Sequence, residues 1–152
     1  MEQLSDREMR AWLAFLGAHA AVISQLSTEL KDKHDLPLTW YDVLVQLEEA
    51  GGSLRMHELA ARLLLSRSAT TRFVDRLQKA ALIHRHPCPE DRRGTFVVLT
   101  ETGRERLRTA APDHLDGVKR VFANALSEIQ LEVLAEALEK LAIDHRSPAD
   151  PC

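Results

Sequence analysis

Large, mostly apolar residues recur at intervals of three and four near the start of the chain: Trp12, Phe15, Leu16, His19, Val22, Ile23, Leu26 and Leu30. That spacing lays a single stripe along a helix. Ser5 and Glu8 have capping-box spacing, so the helix is predicted to start at Ser5 and run to about Lys33. "HDLPL" then breaks it, because Pro37 disfavours helical backbone at Leu36. A second helix, "TWYDVLVQLEEA", is predicted with Thr39 as its cap and Gly51 and Gly52 at its end. "MHELAARLL" follows as a third, with Leu59, Leu63 and Met56 turned inward. Ser66 is a good cap for a fourth. There Phe73, Val74, Leu77 and Ala81 repeat on one face, and Arg67, Ser68, Thr71, Arg72, Asp75 and Lys79 occupy the other.

The period then changes. "ALIHRH" and "TFVVLT" read as two short strands, and Pro87, Pro89 and Gly94 lie between them as turn residues. A hairpin is predicted with Glu90, Asp91, Arg92 and Arg93 at its tip. Thr100 caps a long helix that Pro112 is expected to kink and that continues through Val118, Val121 and Phe122. Ser127 opens a last helix. Its Leu131, Leu134, Leu138 and Leu141 form a seam that needs a partner. "RSPADPC" reads as a frayed tail.

Composition narrows the class. With 152 residues, 45% of them apolar and 28% charged, the chain fits one globular domain with one core. No unbroken apolar run reaches the roughly 18 residues of a membrane span, and the charged N-terminus lacks the apolar stretch of a signal peptide. A cytoplasmic protein with no membrane partner is expected. Cys88 and Cys152 are too few for a disulfide framework.

Charge changes the picture more. Nine of the 20 cations but only four of the 23 anions fall between Ser53 and Thr100, which makes the middle +5. Eleven cations and nineteen anions remain, so the rest is −8 and the total −3. A basic middle between acidic ends is an electrostatic footprint that the total conceals.

Helix, short turn, helix, hairpin is the order of a winged helix-turn-helix. The fourth helix is then the candidate recognition helix, with Ser66, Arg67, Ser68, Thr70, Thr71 and Arg72 in its first turns and Arg76 beyond. Free N–H groups and the positive end of the macrodipole suit phosphate there. Arginines further along can reach guanine in the major groove. At the hairpin tip, Arg93 is the candidate minor-groove probe, Asp91 its holder, and Arg92 a phosphate contact.

The stretch "ELAARLLLSRSATTRFVDRLQKAALIHRHPCPEDRRGTFVVLTETGRERL" resembles the winged-helix core of the MarR family, the multiple-antibiotic-resistance-type transcription regulators. Asp91, Arg93, Leu99 and Thr100 match the family's D-x-R…LT pattern, and "SRSATTRFVDRL" resembles its recognition helix. The number and order of flanking helices extend the likeness to nearly the whole chain. The resemblance implies a mainly α fold with a small β-hairpin wing, in one domain over residues 1–152. Residues 36–100 would form the DNA-binding lobe; residues 1–35 and 101–152 would form the helical dimerisation region. It further implies a homodimer on a pseudo-palindromic operator in double-stranded DNA. A small aromatic or phenolic effector would bind between lobe and dimer helices and release the DNA. Repression, rather than activation, is the family's usual mode.

Other residues invite other chemistry. His84, His86 and Cys88 are metal ligands by type and would share one face of a strand. No fourth ligand is evident, and no metal or cofactor site is predicted. Cys88 lies among cations that could lower its pKa. Peroxide-sensing family members carry their cysteine near the start of the first helix, where this chain has none. A metal- or redox-operated regulator of the same fold is the alternative, together with a winged helix that docks protein instead of DNA. Trp12, Phe15, His19 and Trp40 are candidate pocket residues, although an aromatic stripe at helical spacing also suits a core. There is no phosphate-cradling glycine loop, zincin pair or nucleophile motif, so catalysis is not expected.

Overall fold

The computed structural model of the chain describes residues 3–89 and 94–144. Six helices and a three-stranded sheet follow in the order α1 (Asp6–His34), α2 (Leu38–Glu49), β1 (Ser53–Arg55), α3 (Met56–Leu63), α4 (Arg67–Lys79), β2 (Ile83–Pro87), β3 (Thr95–Leu99), α5 (Glu101–Val121), a 3-10 turn (Ala123–Ala125) and α6 (Glu128–Asp144). The mainly helical winged architecture expected from the pattern is present.

The capping chemistry accounts for most element starts. Ser5 and Glu8 close a reciprocal capping box on α1. The Ser66 hydroxyl accepts from the Ala69 N–H at 3.2 Å, and Thr100 Oγ1 accepts from the Gly103 N–H at 3.0 Å. Thr39 does not cap α2. Pro37 occupies that place in extended backbone and Leu38 is already helical, so the proline ends one helix and admits the next. Gly51 and Gly52, both at positive φ, return the chain from α2, their N–H groups donating to the carbonyls of Glu48 and Leu47.

The sheet has the order β1-β3-β2, antiparallel throughout. Strand β1 was not predicted, since three residues are too short to display alternation. Its register with β3, Leu54 opposite Val97 and Arg55 opposite Phe96, ties the wing to the start of α3. The inner face of the sheet joins α2, α3 and α4 around Leu36, Val43, Leu44, Leu47, Leu59, Val74, Leu77, Ile83 and Val97, each at most 1% exposed. Each such side chain contributes about 1.5–3 kcal/mol of burial. Ala81 does not continue the apolar face of α4. The helix stops at Lys79, and Ala81 turns the chain at φ 61°.

Helices α1 and α5 cross where Gly117 leaves room. A Cβ there would lie 3.0 Å from a Leu26 methyl and 3.2 Å from Glu29 Oε2. Arg120 grips both Glu29 oxygens at 2.6 Å beside that crossing. At the other end, Asp113 accepts from Lys33 at 3.2 Å and pairs with His34 Nε2 at 2.8 Å, while Arg106 donates to the His34 carbonyl at 2.8 Å. The His34 ring and then the Lys33 ammonium hold the Asp113 carboxyl below the usual carboxylate range. Pro112 sits within a continuous α5.

Much of α1 has no partner among the described residues. Met9, Trp12, Leu13, Phe15, Leu16 and Ile23 are 41–58% exposed, as are Ile129, Val133 and Leu141 of α6 at 54–74%. By length and composition α1 could cross a membrane. Counting unbroken apolar runs missed this, because small and uncharged polar residues interrupt the stretch.

Candidate nucleic-acid interface

The candidate recognition helix, α4, is built by division of its faces. Val74 and Leu77 are fully buried and anchor α4 in the core. Arg67, Ser68, Thr71, Arg72, Asp75, Arg76 and Lys79 are exposed on the opposite face. Thr70 belongs to the first group. It is 0% exposed, and its hydroxyl donates to the Ser66 carbonyl at 2.9 Å. Its predicted DNA contact is therefore withdrawn: a threonine one position off the polar stripe falls on the core side, where local back-bonding satisfies its hydroxyl. Thr71 also back-bonds, to the Arg67 carbonyl at 2.9 Å, but stays on the exposed face.

Arg67, Arg72 and Arg76 have no ion-pair partner among the described residues. Several cations elsewhere are engaged: Arg104 with Glu48 at 3.0 Å, Arg108 with Glu101 at 3.5 Å, Arg120 with Glu29. With the exposed Lys79, Arg67, Arg72 and Arg76 concentrate positive charge on the solvent side of α4. Ser66 and Ser68 hydroxyls lie 3.2 Å apart at its first turn. Such a first turn is a ready phosphate seat.

The wing strands rise beside α4. Arg85 on β2 reaches across to it, donating to Asp75 Oδ1 at 2.6 Å and to Gln78 Oε1 at 3.0 Å. No reading of the sequence alone paired these residues; the ten-residue separation crosses a turn whose geometry the pattern does not encode. The predicted contacts Asp91, Arg92 and Arg93 lie outside the described residues. Arg55, at the sheet's far edge, stands over the Phe96 ring at 5.5 Å.

The other candidates separate. His84 and His86 are exposed on the outer face of the sheet, whereas Cys88 is only 6% exposed. The expected shared face fails because Cys88 lies beyond the strand end, its N–H closing the hairpin onto the Gly94 carbonyl at 2.9 Å. Trp12, Phe15 and His19 form an exposed stacked stripe, with ring centroids 6.2 and 6.4 Å apart in succession. Trp40 instead packs on the core's flank. A cleft of about 210 Å³ lies elsewhere, lined by His34, Thr102, Glu105, Arg106 and Thr109. A second, of about 10 Å³, reaches His114. None of the four aromatic candidates lines either cleft. His114 packs on Tyr41 with centroids 4.5 Å apart, its Nδ1 is buried without a hydrogen-bond partner among the described residues, and burial pushes its pKa down.

Comparison with known proteins places this geometry. A family model described as MarR family matches residues 34–94. AbsC of Streptomyces coelicolor, described as a MarR family transcriptional regulator, is 35% identical, with 96% of this chain and 99% of that chain covered and a TM-score of 0.91. Sco3205 of the same organism, a MarR family transcriptional regulator solved in complex with DNA, is 32% identical over 99% of this chain and 95% of its own, with a TM-score of 0.93. The HTH-type transcriptional regulator MhqR of Bacillus subtilis (strain 168) is 26% identical over 93% of this chain and 95% of its own.

Proposed function

The chain belongs to the MarR family of transcriptional regulators, and from that premise we propose that it is a cytoplasmic homodimeric repressor that grips a pseudo-palindromic operator through α4 and the wing. The observation that carries this reading is the exposed row Arg67, Arg72 and Arg76, uncommitted among the described residues while α4's other face is locked in the core. Ser66, Ser68 and Thr71 supply hydroxyls for phosphate and base edges on the same face. Arg93 reaches the minor groove, Asp91 aims it, and Arg92 takes phosphate. That Sco3205 was solved in complex with DNA supports DNA as the partner here.

Dimerisation follows from the apolar surface left on α1 and α6. Exposed apolar surface of that extent on two helices marks an interaction surface. A twofold pairing of the two helices covers it on both copies at once. It also removes the apparent membrane-span character of α1, whose apolar side would face the second copy. A small aromatic or phenolic effector acting between the lobe and the dimer helices completes the reading.

Selection of bound sequences from a random duplex pool at fixed salt tests it. Two related half-sites about 10–10.5 base pairs apart, centre to centre, are expected for a dimer presenting two recognition helices to successive major grooves. Recovery of no enriched sequence would overturn operator recognition.

A further inference from the structure

We infer that Arg85 is a positioning residue for DNA recognition and makes no phosphate contact of its own. As a cation beside the recognition helix it would ordinarily be counted with the DNA-binding arginines. Its geometry argues otherwise. Both terminal nitrogens of the guanidinium are spent on α4: Nη2 on Asp75 Oδ1 at 2.6 Å and Nη1 on Gln78 Oε1 at 3.0 Å. The side chain is 27% exposed, against 50% for Asp75. It is thus the more covered member of the pair.

The fork fixes two things. Asp75 and Gln78 are three residues apart, so they stand on one face of α4 a turn from each other. A planar two-pronged donor spanning them resists rotation of the helix about its axis as well as translation along it. Its other end is Arg85 in β2, paired in the sheet with Val97 of β3. The recognition helix is therefore locked to the wing strands as one rigid body, which sets the spacing between the two elements that must enter neighbouring grooves. The second effect is electrostatic. Asp75 is the one carboxylate within α4, and it sits among Arg72, Arg76 and Lys79 on the face offered to DNA. Pairing with Arg85 neutralises it there.

This assignment rests on the DNA-binding reading above, and binding of the full-length dimer to a selected duplex and to random duplex, across a salt series, separates the two. Asp75→Ala removes an anion from the DNA face. Electrostatics alone would then tighten binding to every duplex. Positioning requires that affinity for the selected duplex fall by about tenfold, a size expected within one network, while random duplex binds as well as before or better. Asp75→Ala/Arg85→Ala, with wild-type net charge, should match the single Asp75→Ala on selected duplex and keep the wild-type salt slope. Arg85→Lys keeps the charge but cannot bridge both partners, and should lose selectivity too; it also stands in if Arg85→Ala melts early. A double variant whose salt slope drops by about 0.9 would make Arg85 a phosphate contact and overturn the proposal. So would additive losses, or a loss confined to one base pair of the operator, which would make Asp75 a base contact. A wild-type protein with equal affinity for selected and random duplex would overturn the operator reading itself, and this proposal with it.

Discussion

Gly103 lies so close to Leu82 that a Cβ on it would stand 2.1 Å from the Leu82 carbonyl oxygen and 2.8 Å from a Leu99 methyl. The contact joins the first turn of α5 to the turn between α4 and the wing. Thr100 closes the same junction, its hydroxyl donating to the Ala81 carbonyl at 2.7 Å and its N–H to the Leu82 carbonyl at 3.1 Å. The nearest atoms are Leu82 backbone, so no side-chain rotation relieves the clash. Gly103→Ala is expected to cost about 1–3 kcal/mol or more, the range of overpacked cores. Denaturant unfolding checks it; an unchanged midpoint would mean the junction is softer than its packing indicates.

Arg72 and Arg76 should each act as a phosphate contact. Substituting either with alanine is expected to lower the slope of log affinity against log salt by about 0.9 while leaving the melting temperature near wild type. Titration of a labelled duplex at four or five salt concentrations measures it. Slopes equal to wild type for both variants would move the DNA face elsewhere.

The apolar faces of α1 and α6 predict the assembly state. Wild type should sediment at twice its 17.1 kDa chain mass. Phe15→Glu with Val133→Glu places charges at positions 45% and 59% exposed in the single chain, so the chain's own core is untouched. Sedimentation at the single-chain mass, with native helical circular dichroism, is expected. A double variant that remains dimeric would place the interface on another surface.

Leu64, in the turn between α3 and α4, has φ 55° and is 86% exposed. A leucine in left-handed backbone costs about 1–2 kcal/mol, and here burial returns almost nothing. Leu64→Gly relieves the strain but gives up about 0.5–1 kcal/mol of chain entropy. A net stabilisation of about 0.5–1 kcal/mol is expected, read from a raised denaturant midpoint. Destabilisation would show that Leu64 is covered in the assembled protein.

The neutral His114 ring against Tyr41 predicts a pH dependence. Its pKa is held below the ordinary value of about 6.5 by burial, so the unfolded chain binds the extra proton first. The contribution is complete above pH about 6.5 and is lost as pH falls below it toward the depressed value. His114→Phe keeps the stacking and removes the titration. Between pH 6.5 and 5 its melting temperature should fall less than that of wild type. Parallel curves would show that the ring is not titrating with folding.

The helices and hairpin were legible because their signals are local: the Ser5–Glu8 box, Ser66, Thr100 and the three-four stripes each need only a few neighbouring residues. Thr39 misled because Pro37 began α2 earlier than the hydroxyl suggested. Thr70 misled because a helical wheel resolves faces only to within a residue, and hydroxyls fit either side. The Arg85–Asp75–Gln78 fork and the Gly103–Leu82 contact were not legible, because each depends on how two elements pack and not on either element's pattern.

Helix α5 begins on the wing base and, after 21 residues, ends past its crossing with α1. At 1.5 Å per residue that is a rod of about 30 Å. Pivoted near Gly117, where Arg120 clamps it to α1, such a rod is a lever with a long arm of about 24 Å: a tilt of about 5° sweeps its wing end through about 2.1 Å. Successive base pairs are about 3.4 Å apart, so in the proposed dimer a shift of about 0.5 Å at the short arm beyond Gly117 would put a lobe more than half a step out of phase with its half-site.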